Sequence, residues 1–587
     1  LNNASTHQQI NASTNQRINA SKNMQQKLQA LQQTLDGDLY FDDLMRHIYA
    51  TDASIFRELP LAVAYPKHAD DIKKLVNFAR ENNTSLIPRS AGTSLAGQCV
   101  GDGIVVDISR YMTKVLEINA EERWVRLQPG VIRDELNLML KPYGLFFGPN
   151  TSTANRCMLG GMVGNNSCGT TSIVYGSTRD HVLALDVVLS DGSEARFSSL
   201  TKAEFEEKRN GDNLEAHIYR QLFEALSEPG AQAEIRAEYP KPGIPRRNTG
   251  YAVDLLLDSN VFTPETPDIN LCKLLSGSEG TLAFTTEITL HVDPLPAPHD
   301  VVLCAHFSSM PECLKAVVAT MKHKPTACEL MDRLILDCTK ANLEQSKNRF
   351  FIEGDPAAVL MIEFRGDNPE EAQAKASTLI ADLKSHGFGY AYPVIPAPKS
   401  KRVWELRNAG LGVLSNMPGE AKGVACIEDT AVEVTDLPAY ITDFEEMMAG
   451  YGQKSVYYAH AGAGELHLRP ILNLKKEEDR LKLRQIGESM ARLVKKYKGS
   501  LSGEHGDGRV RAEFIPLVLG EKNYALLRRV KQTWDPQNIF NPGKIIDPAP
   551  MNTSLRYEAG QQDKHFDTIL SFPDGILRAA EKCNGSG

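Results

Sequence analysis

Residues Leu159-Gly-Gly-Met-Val-Gly-Asn-Asn-Ser-Cys-Gly169 place four glycines among amides and a hydroxyl within eleven positions. A backbone this bare suits close approach to a flat polar ring, because no Cβ holds the ring away. Outward from it, Gly148-Pro-Asn-Thr-Ser152 comes before and Tyr175-Gly-Ser-Thr-Arg-Asp180 after. Further upstream, Pro88-Arg-Ser-Ala-Gly-Thr-Ser-Leu-Ala-Gly-Gln98 follows the short apolar strand Ser85 to Pro88. Successive small residues there let main-chain N–H groups converge on an anion, as in phosphate-binding nests; an ordinary surface turn is the competing reading. Downstream, Ser276-Gly-Ser-Glu-Gly-Thr-Leu282 runs into the alternating strand Ala283 to Val292. The first loop has neither the GKS/T of a P-loop nor the GxGxxG of a Rossmann half, so a nicotinamide cofactor is a poor candidate.

The 587-residue chain is 42% hydrophobic and 24% charged, fractions that exclude wholesale disorder and a disulfide-dense mini-fold. A net charge of −9 argues against a nucleic-acid binder. No apolar run reaches the roughly 18 residues a spanning helix needs. Ten cysteines without a CxxC pair read as reduced thiols, so a cytoplasmic location is expected, with peripheral contact at the inner membrane face allowed. Leu1 in place of methionine suggests that the chain starts inside its gene product or at a processing site. Residues 1–36, Asn/Gln/Ser-rich with an eight-residue repeat from Asn3, are expected to form a disordered or weakly helical extension.

Periodicity predicts a helix over 70–82 with Ile72, Leu75, Val76 and Ala79 on one face and Asp70 as its N-cap. Strands are predicted at Ile104 to Ile108, Val115 to Ile118 and Trp124 to Gln128, and a helix from Ile132 to Leu140. Beyond Pro294-Leu-Pro-Ala-Pro298 the glycine-rich loops cease. A strand within 350–365 and helices Glu370 to His386 and Glu433 to Ala449 follow, so this proline-rich stretch is the expected domain boundary.

In this order, the three glycine-bearing segments resemble the FAD-binding domain of the vanillyl-alcohol oxidase / p-cresol methylhydroxylase flavoproteins. Gly277-Ser-Glu-Gly-Thr-Leu282 with Thr286-Glu-Ile288 resembles its D-2-hydroxyacid dehydrogenase branch, and Trp534-Asp-Pro-Gln-Asn-Ile-Phe-Asn-Pro-Gly-Lys544 resembles its C-terminal signature. The similarity covers about residues 40 to 548. It implies an α+β chain. A two-subdomain FAD-binding domain takes 37–296 and is completed by 520–548, and an α+β cap domain takes 297–519. By resemblance, Ser90, Ala91, Gly92, Thr93 and Ser94 cradle the FAD pyrophosphate, with Gln98 nearby. Ser152, Gly160, Gly161, Asn166, Ser167 and Gly169 line the flavin. Glu279, Gly280 and Ile288 are placed on the adenosine side, and Asn541 completes the cofactor set. Relatives that tether FAD covalently have His at the position of Thr93, so noncovalent FAD is expected. Cys168 stands where relatives often carry Gly and is read as a packing residue.

His460-Ala-Gly-Ala-Gly-Glu-Leu-His467 and Ser502-Gly-Glu-His-Gly-Asp-Gly508 form a second constellation. Histidines seven apart would face opposite sides of a continuous strand, but the intervening glycines permit a turn that brings both imidazoles together. The resemblance implies that His460, His467 and Glu504 bind a divalent, zinc-like metal, that His505 is the general base, and that Arg407 takes the substrate α-carboxylate. Relatives commonly read Gly-Asp-Gly-Asn where this chain has Gly462-Ala-Gly-Glu465, so Glu465 is either a fourth ligand or a partner of the ligands. Asn248-Thr-Gly-Tyr251, Glu363 and Glu428-Asp429 also resemble family motifs near the site, without assigned roles.

The implied reaction is oxidation of a D-2-hydroxy acid, foremost D-2-hydroxyglutarate, to the 2-oxo acid. Electrons pass to a non-nicotinamide acceptor: a quinone, a cytochrome or a flavoprotein. D-lactate is the competing substrate, and a non-catalytic FAD-binding subunit is the competing class. A second substrate carboxylate needs another cation, for which Arg246, Arg247, Arg365 and Arg402 are candidates. Residues 549–587, with Cys583 in a glycine-rich end, resemble the entry to an iron–sulfur domain. A longer protein with a [4Fe-4S] cluster downstream is therefore expected, as is a homo-oligomer.

Overall fold

A computed structural model describes residues 22–340, 342–414, 417, 419–560, 567, 569–572 and 575–581. The first 21 residues of the expected extension, and Cys583, lie outside the described residues. Residues 22–34 are not an extension but a helix, because Leu28 and Leu31 find a core to enter beside Ile72, Leu75 and Ile539.

That core belongs to a four-stranded sheet ordered Asp38–Tyr40, Ala62–Tyr65, Ile104–Asp107, Leu86–Arg89, in which the last three strands are parallel. The helix Ala69–Asn82 covers it with Ile72, Leu75, Val76, Phe78 and Ala79. Its N-cap is His68, not Asp70, whose carboxylate instead pairs with Lys73 on the surface. The neighbouring Asp71 is the structural acid. Its buried carboxylate accepts from the amides of Asp36, Gly37 and Lys67 and so ties the chain entry to this helix.

A second, six-stranded antiparallel sheet runs Ile269–Asn270, Glu194–Leu200, Val182–Val188, Phe284–His291, Trp124–Leu127, Val115–Asn119. The chain then leaves through Asp293–Pro294, which pairs back onto Leu145–Phe146, and His299–Phe307 opens a third sheet. This antiparallel sheet is ordered Val394–Pro396, His299–Phe307, Ala358–Gly366, Ala327–Asp332, Ser455–His460, Glu465–Leu472, Lys422–Gly423, with Ile427–Ala431 also on Glu465–Leu472. Its strands His299–Phe307 and Ala358–Gly366 are buried almost throughout, because the helices Met310–Met321, Pro369–Ser385 and Ser400–Asn408 pack against them.

The C-terminal signature closes the first domain. Asn541 donates its amide N–H to Leu86 O, and Leu86 donates its own to Ile539 O. Trp534 is fully buried against Phe197, with ring centroids 5.1 Å apart. Asp535 caps the turn by accepting from the amides of Ile539 and Phe540 and pairs at 2.6 Å with Lys531, whose ammonium also donates to the carbonyls of Thr281 and Phe540. Removing one member of such a buried pair strands the other. Asp535→Ala and Lys531→Met should each destabilise the protein by about 3–5 kcal/mol, whereas the double change Lys531→Met/Asp535→Leu should cost less than either alone. Denaturant unfolding of the three variants measures this.

Candidate functional site

The glycine-bearing loops of the first domain and the cap sheet face each other across a cleft of about 1190 Å³. From the first domain it is lined by Ser90, Gly92, Thr93, Ser94, Ser152, Gly161, Ser167 and Gly169, and from the cap by Arg407, Tyr458, His460, His467, Glu504 and His505. An adjoining cleft of about 710 Å³ continues past Ser90 and Gly161 along Pro88, Gln98, Gly160, Gly164, Glu279 and Gly280. The glycines divide into two kinds. A Cβ on Gly161 would come 2.3 Å from Ser90 Oγ and one on Gly280 2.8 Å from Pro88, so these two let the loops pack on one another. At Gly164 nothing lies within 4 Å, and the backbone there is bare toward the adjoining cleft. Hydroxyls, amides and exposed main chain from three separate segments form a donor set that fits a pyrophosphate and a flat ring.

Several expected cofactor residues also make contacts within the protein. Asn165 lines both clefts, while Asn166, at φ +52°, turns its side-chain Oδ1 to accept from the amide of Arg179. Ile288 is fully buried in the core of the six-stranded sheet, paired with Leu127 and Leu185. Gln98 donates to the carbonyl of His505 at 2.7 Å, and Glu279 accepts from the amides of Asp507 and Gly508. Asn541 braces both by donating to the carbonyls of Gln98 and Glu279. Burial pushes Glu279 up to about 7 against the opposing bonds from Gly508, Gln98 and Asp507. Ala91 lies within the same run as the cleft-lining Ser90 and Gly92.

On the cap side the glycine turn does bring the histidines together. Ser455–His460 and Glu465–Leu472 form a hairpin around the 3-10 turn Ala461–Ala463, pairing His460 with Glu465 and Tyr458 with His467. Tyr458, His460, Glu465 and His467 therefore share one face. The His460 and His467 rings stand 5.1 Å apart. His460 Nε2 lies 3.2 Å and His467 Nε2 3.8 Å from Glu504 Oε1. His460 donates from Nδ1 to Glu329 at 2.9 Å, which leaves its Nε2 lone pair free for a ligand's role. Three buried donors of N, N and O type, with ligand atoms within 4.8 Å of one another, fit a divalent ion. A second grouping, Glu428, His467 and His505, shares His467 through its other nitrogen.

Glu465 and Glu504 differ in their electrostatic surroundings. Arg246 is fully enclosed, donating to Glu465, Ser172 and the carbonyl of Gly169, and its Nη1 lies 3.6 Å from Glu504. Burial raises the Glu504 carboxyl, but Arg246, His460 and His505 outweigh it and hold Glu504 well below the usual carboxylate range. Burial, reinforced by Glu504 and Asp429, drives Glu465 well above that range despite Arg246. Glu504 is thus the anion of the pair. Cys168, beside them, is buried and its thiol is pushed well up by burial, which suits packing rather than redox chemistry.

Asp429 organises the loop that carries Glu504 and His505. Its carboxylate accepts from Ser502 Oγ (2.6 Å) and from the amides of Gly503 (2.7 Å), Glu504 (2.7 Å) and His505 (2.9 Å). Asp429 itself sits at φ +79° where the pairing of Ile427–Ala431 shifts register. Sequence reasoning noted Asp429 without a role and missed Glu329, Tyr458 and Arg469, because a lone acid or tyrosine in a strand carries no motif. Of the proposed second cations, Arg246 serves Glu465, Arg247 serves Asp254, Arg365 serves Glu363, and Arg402 bonds Asn348.

Residues 60–198 match the FAD binding domain and residues 296–545 the C-terminal domain of FAD linked oxidases. The chain is 36% identical over 583 residues to D-2-hydroxyglutarate dehydrogenase of Pseudomonas putida, covering 95% of this chain and 56% of the relative. It is 34% identical to the protein of that name from Escherichia coli, covering 95% and 55%. The chain thus spans about half the length of the curated relatives it matches. The solved structure of p-cresol methylhydroxylase with substrate bound shares the fold, with a TM-score of 0.62 at 13% identity over 89% of this chain and 96% of that one. The chain belongs to the FAD-linked oxidase family, of the vanillyl-alcohol oxidase / p-cresol methylhydroxylase fold. Among the described residues no helix is long and apolar enough to cross a membrane.

Asp429→Ala removes the acceptor for four hydrogen bonds while leaving the flavin-domain loops intact. Metal affinity and turnover should both fall by about 10- to 100-fold with FAD content retained. Metal analysis and flavin absorbance of the purified variant measure this.

Proposed function

We propose that this chain is the flavin-bearing part of a dehydrogenase that oxidises a D-2-hydroxy acid, D-2-hydroxyglutarate foremost, to the 2-oxo acid. One observation carries the reading: a base, a buried guanidinium and a metal-type donor set converge on the cleft wall opposite the flavin-type loops. The names of the relatives given above point to the same substrate.

Arg407 is 2% exposed, lies 3.5 Å from the centroid of the Tyr458 ring and donates one Nη2 bond to Glu329. Burial pulls its guanidinium down while Glu329 opposes the shift. Its buried Nε has no partner, which suits a substrate carboxylate. His505 takes the hydroxyl proton. Its imidazole is the more open of the cluster, and Nε2 lies 3.5 Å from Glu428, so an acid stands ready to steady the imidazolium. Its main chain is fixed from both domains, by Asp429 on the amide and Gln98 on the carbonyl. His460, His467 and Glu504 would hold the divalent ion, which supplies a Lewis acid for the substrate oxygens. FAD, noncovalent beside Thr93, supplies the two-electron acceptor for the hydride leaving C2.

Anaerobic mixing with D- and L-2-hydroxy acids should bleach the flavin with D-enantiomers only. No bleaching with any of them would support the non-catalytic subunit instead. His505→Asn should slow bleaching by about 10²- to 10⁴-fold at unchanged FAD content. An unaltered rate would rule out His505 as the base.

A further inference from the structure

Arg469 is the one arginine of the cap sheet that lies on the same strand face as the histidines and also lines the cleft. It follows His467 by two residues on Glu465–Leu472, which places it about 7 Å further along that face. Its side chain is 7% exposed and donates through Nη2 to Glu428 at 2.6 Å, and its Nε is buried without a partner.

Arg407 is in the same state. Each guanidinium is held by one buried glutamate, Glu329 or Glu428, and each keeps an unsatisfied Nε. Arg156 Nε is a third such donor in the cleft, but only Arg407 and Arg469 are buried and tied by a glutamate to the histidine cluster. A buried unpaired donor is costly, so these two mark a site waiting for acceptors. The two flank the histidine cluster. Arg407 reaches it through Glu329, which bonds His460, and Arg469 through Glu428, which lies 3.4 Å from His467 and 3.5 Å from His505. One substrate carboxylate satisfies one arginine, and a substrate with a carboxylate at each end satisfies both.

We infer that Arg469 binds the distal carboxylate of a 2-hydroxy dicarboxylate, with Arg407 on the α-carboxylate, so that the cleft selects dicarboxylic over monocarboxylic 2-hydroxy acids. This rests on the hydroxyacid reading above. Arg156 also lines the cleft, but it is only half-buried, bonds its neighbour Asn155 and has no tie to the histidine cluster.

The test is binding, so that it does not depend on turnover. The FAD-loaded chain is titrated with 2-oxoglutarate and with pyruvate, read by perturbation of the flavin absorbance. The wild type should prefer 2-oxoglutarate. Arg469→Gln should reduce that preference by about 10- to 100-fold, the loss of a charge-assisted bond. Arg469→Lys, which keeps the charge without the fork, should recover part of it. The inference is overturned if the wild type shows no preference, if Arg469→Gln weakens both ligands alike, or if Arg156→Gln rather than Arg469→Gln removes the preference. If the preference follows Arg469 but no hydroxy acid bleaches the flavin, the oxidation reading fails and this assignment stands.

Discussion

The carboxylate of Asp429 receives four hydrogen bonds from residues 502–505, and the chemistry of the cleft depends on that wrapping. Glu504 and His505 project from a loop with no regular secondary structure, which would otherwise be free to sample many conformations. Asp429 supplies the acceptors the loop amides need and accepts a left-handed backbone, φ +79°, to do so. Gly506 and Gly508, at φ +77° and +52°, let the loop turn away against Gln98 and Ala96 of the first domain. The flavin domain fastens the same loop from the other side, through Gln98 and Glu279. On the proposed reading, a base fixed jointly by two domains would keep its position relative to a ring held by one of them. That is a requirement for hydride and proton to leave one carbon and its oxygen in register.

Electrostatics follow from that placement. Three arginines and four glutamates are buried around the histidines, each arginine paired: Arg246 with Glu465, Arg407 with Glu329, Arg469 with Glu428. Glu504 lies 3.6 Å from Arg246 as well. Its carboxyl is kept ionised beside two imidazoles, the arrangement that a divalent cation completes.

Much of this was legible in the sequence. The glycine-bearing loops, the composition change after Pro294 and the closing Trp534–Lys544 signature locate the elements that build the fold, because spacing and small residues are local properties. The convergence of His460 and His467 followed from two glycines and the period of a strand. What the sequence hid was partnership across long separations. Glu329 lies 131 residues from His460, and Gln98 lies 407 from His505. Four arginines looked equally available until their partners were in view, and Arg469 was passed over because nothing next to it in the chain says that Glu428 leaves its Nε unpaired.

Anomalous diffraction at the absorption edge of a bound divalent metal tests the central claim most directly. The account predicts one peak within coordination distance of His460 Nε2, His467 Nε2 and Glu504, lost in Glu504→Gln. A peak among Glu428, His467 and His505 instead, or binding that survives Glu504→Gln unchanged, would contradict it.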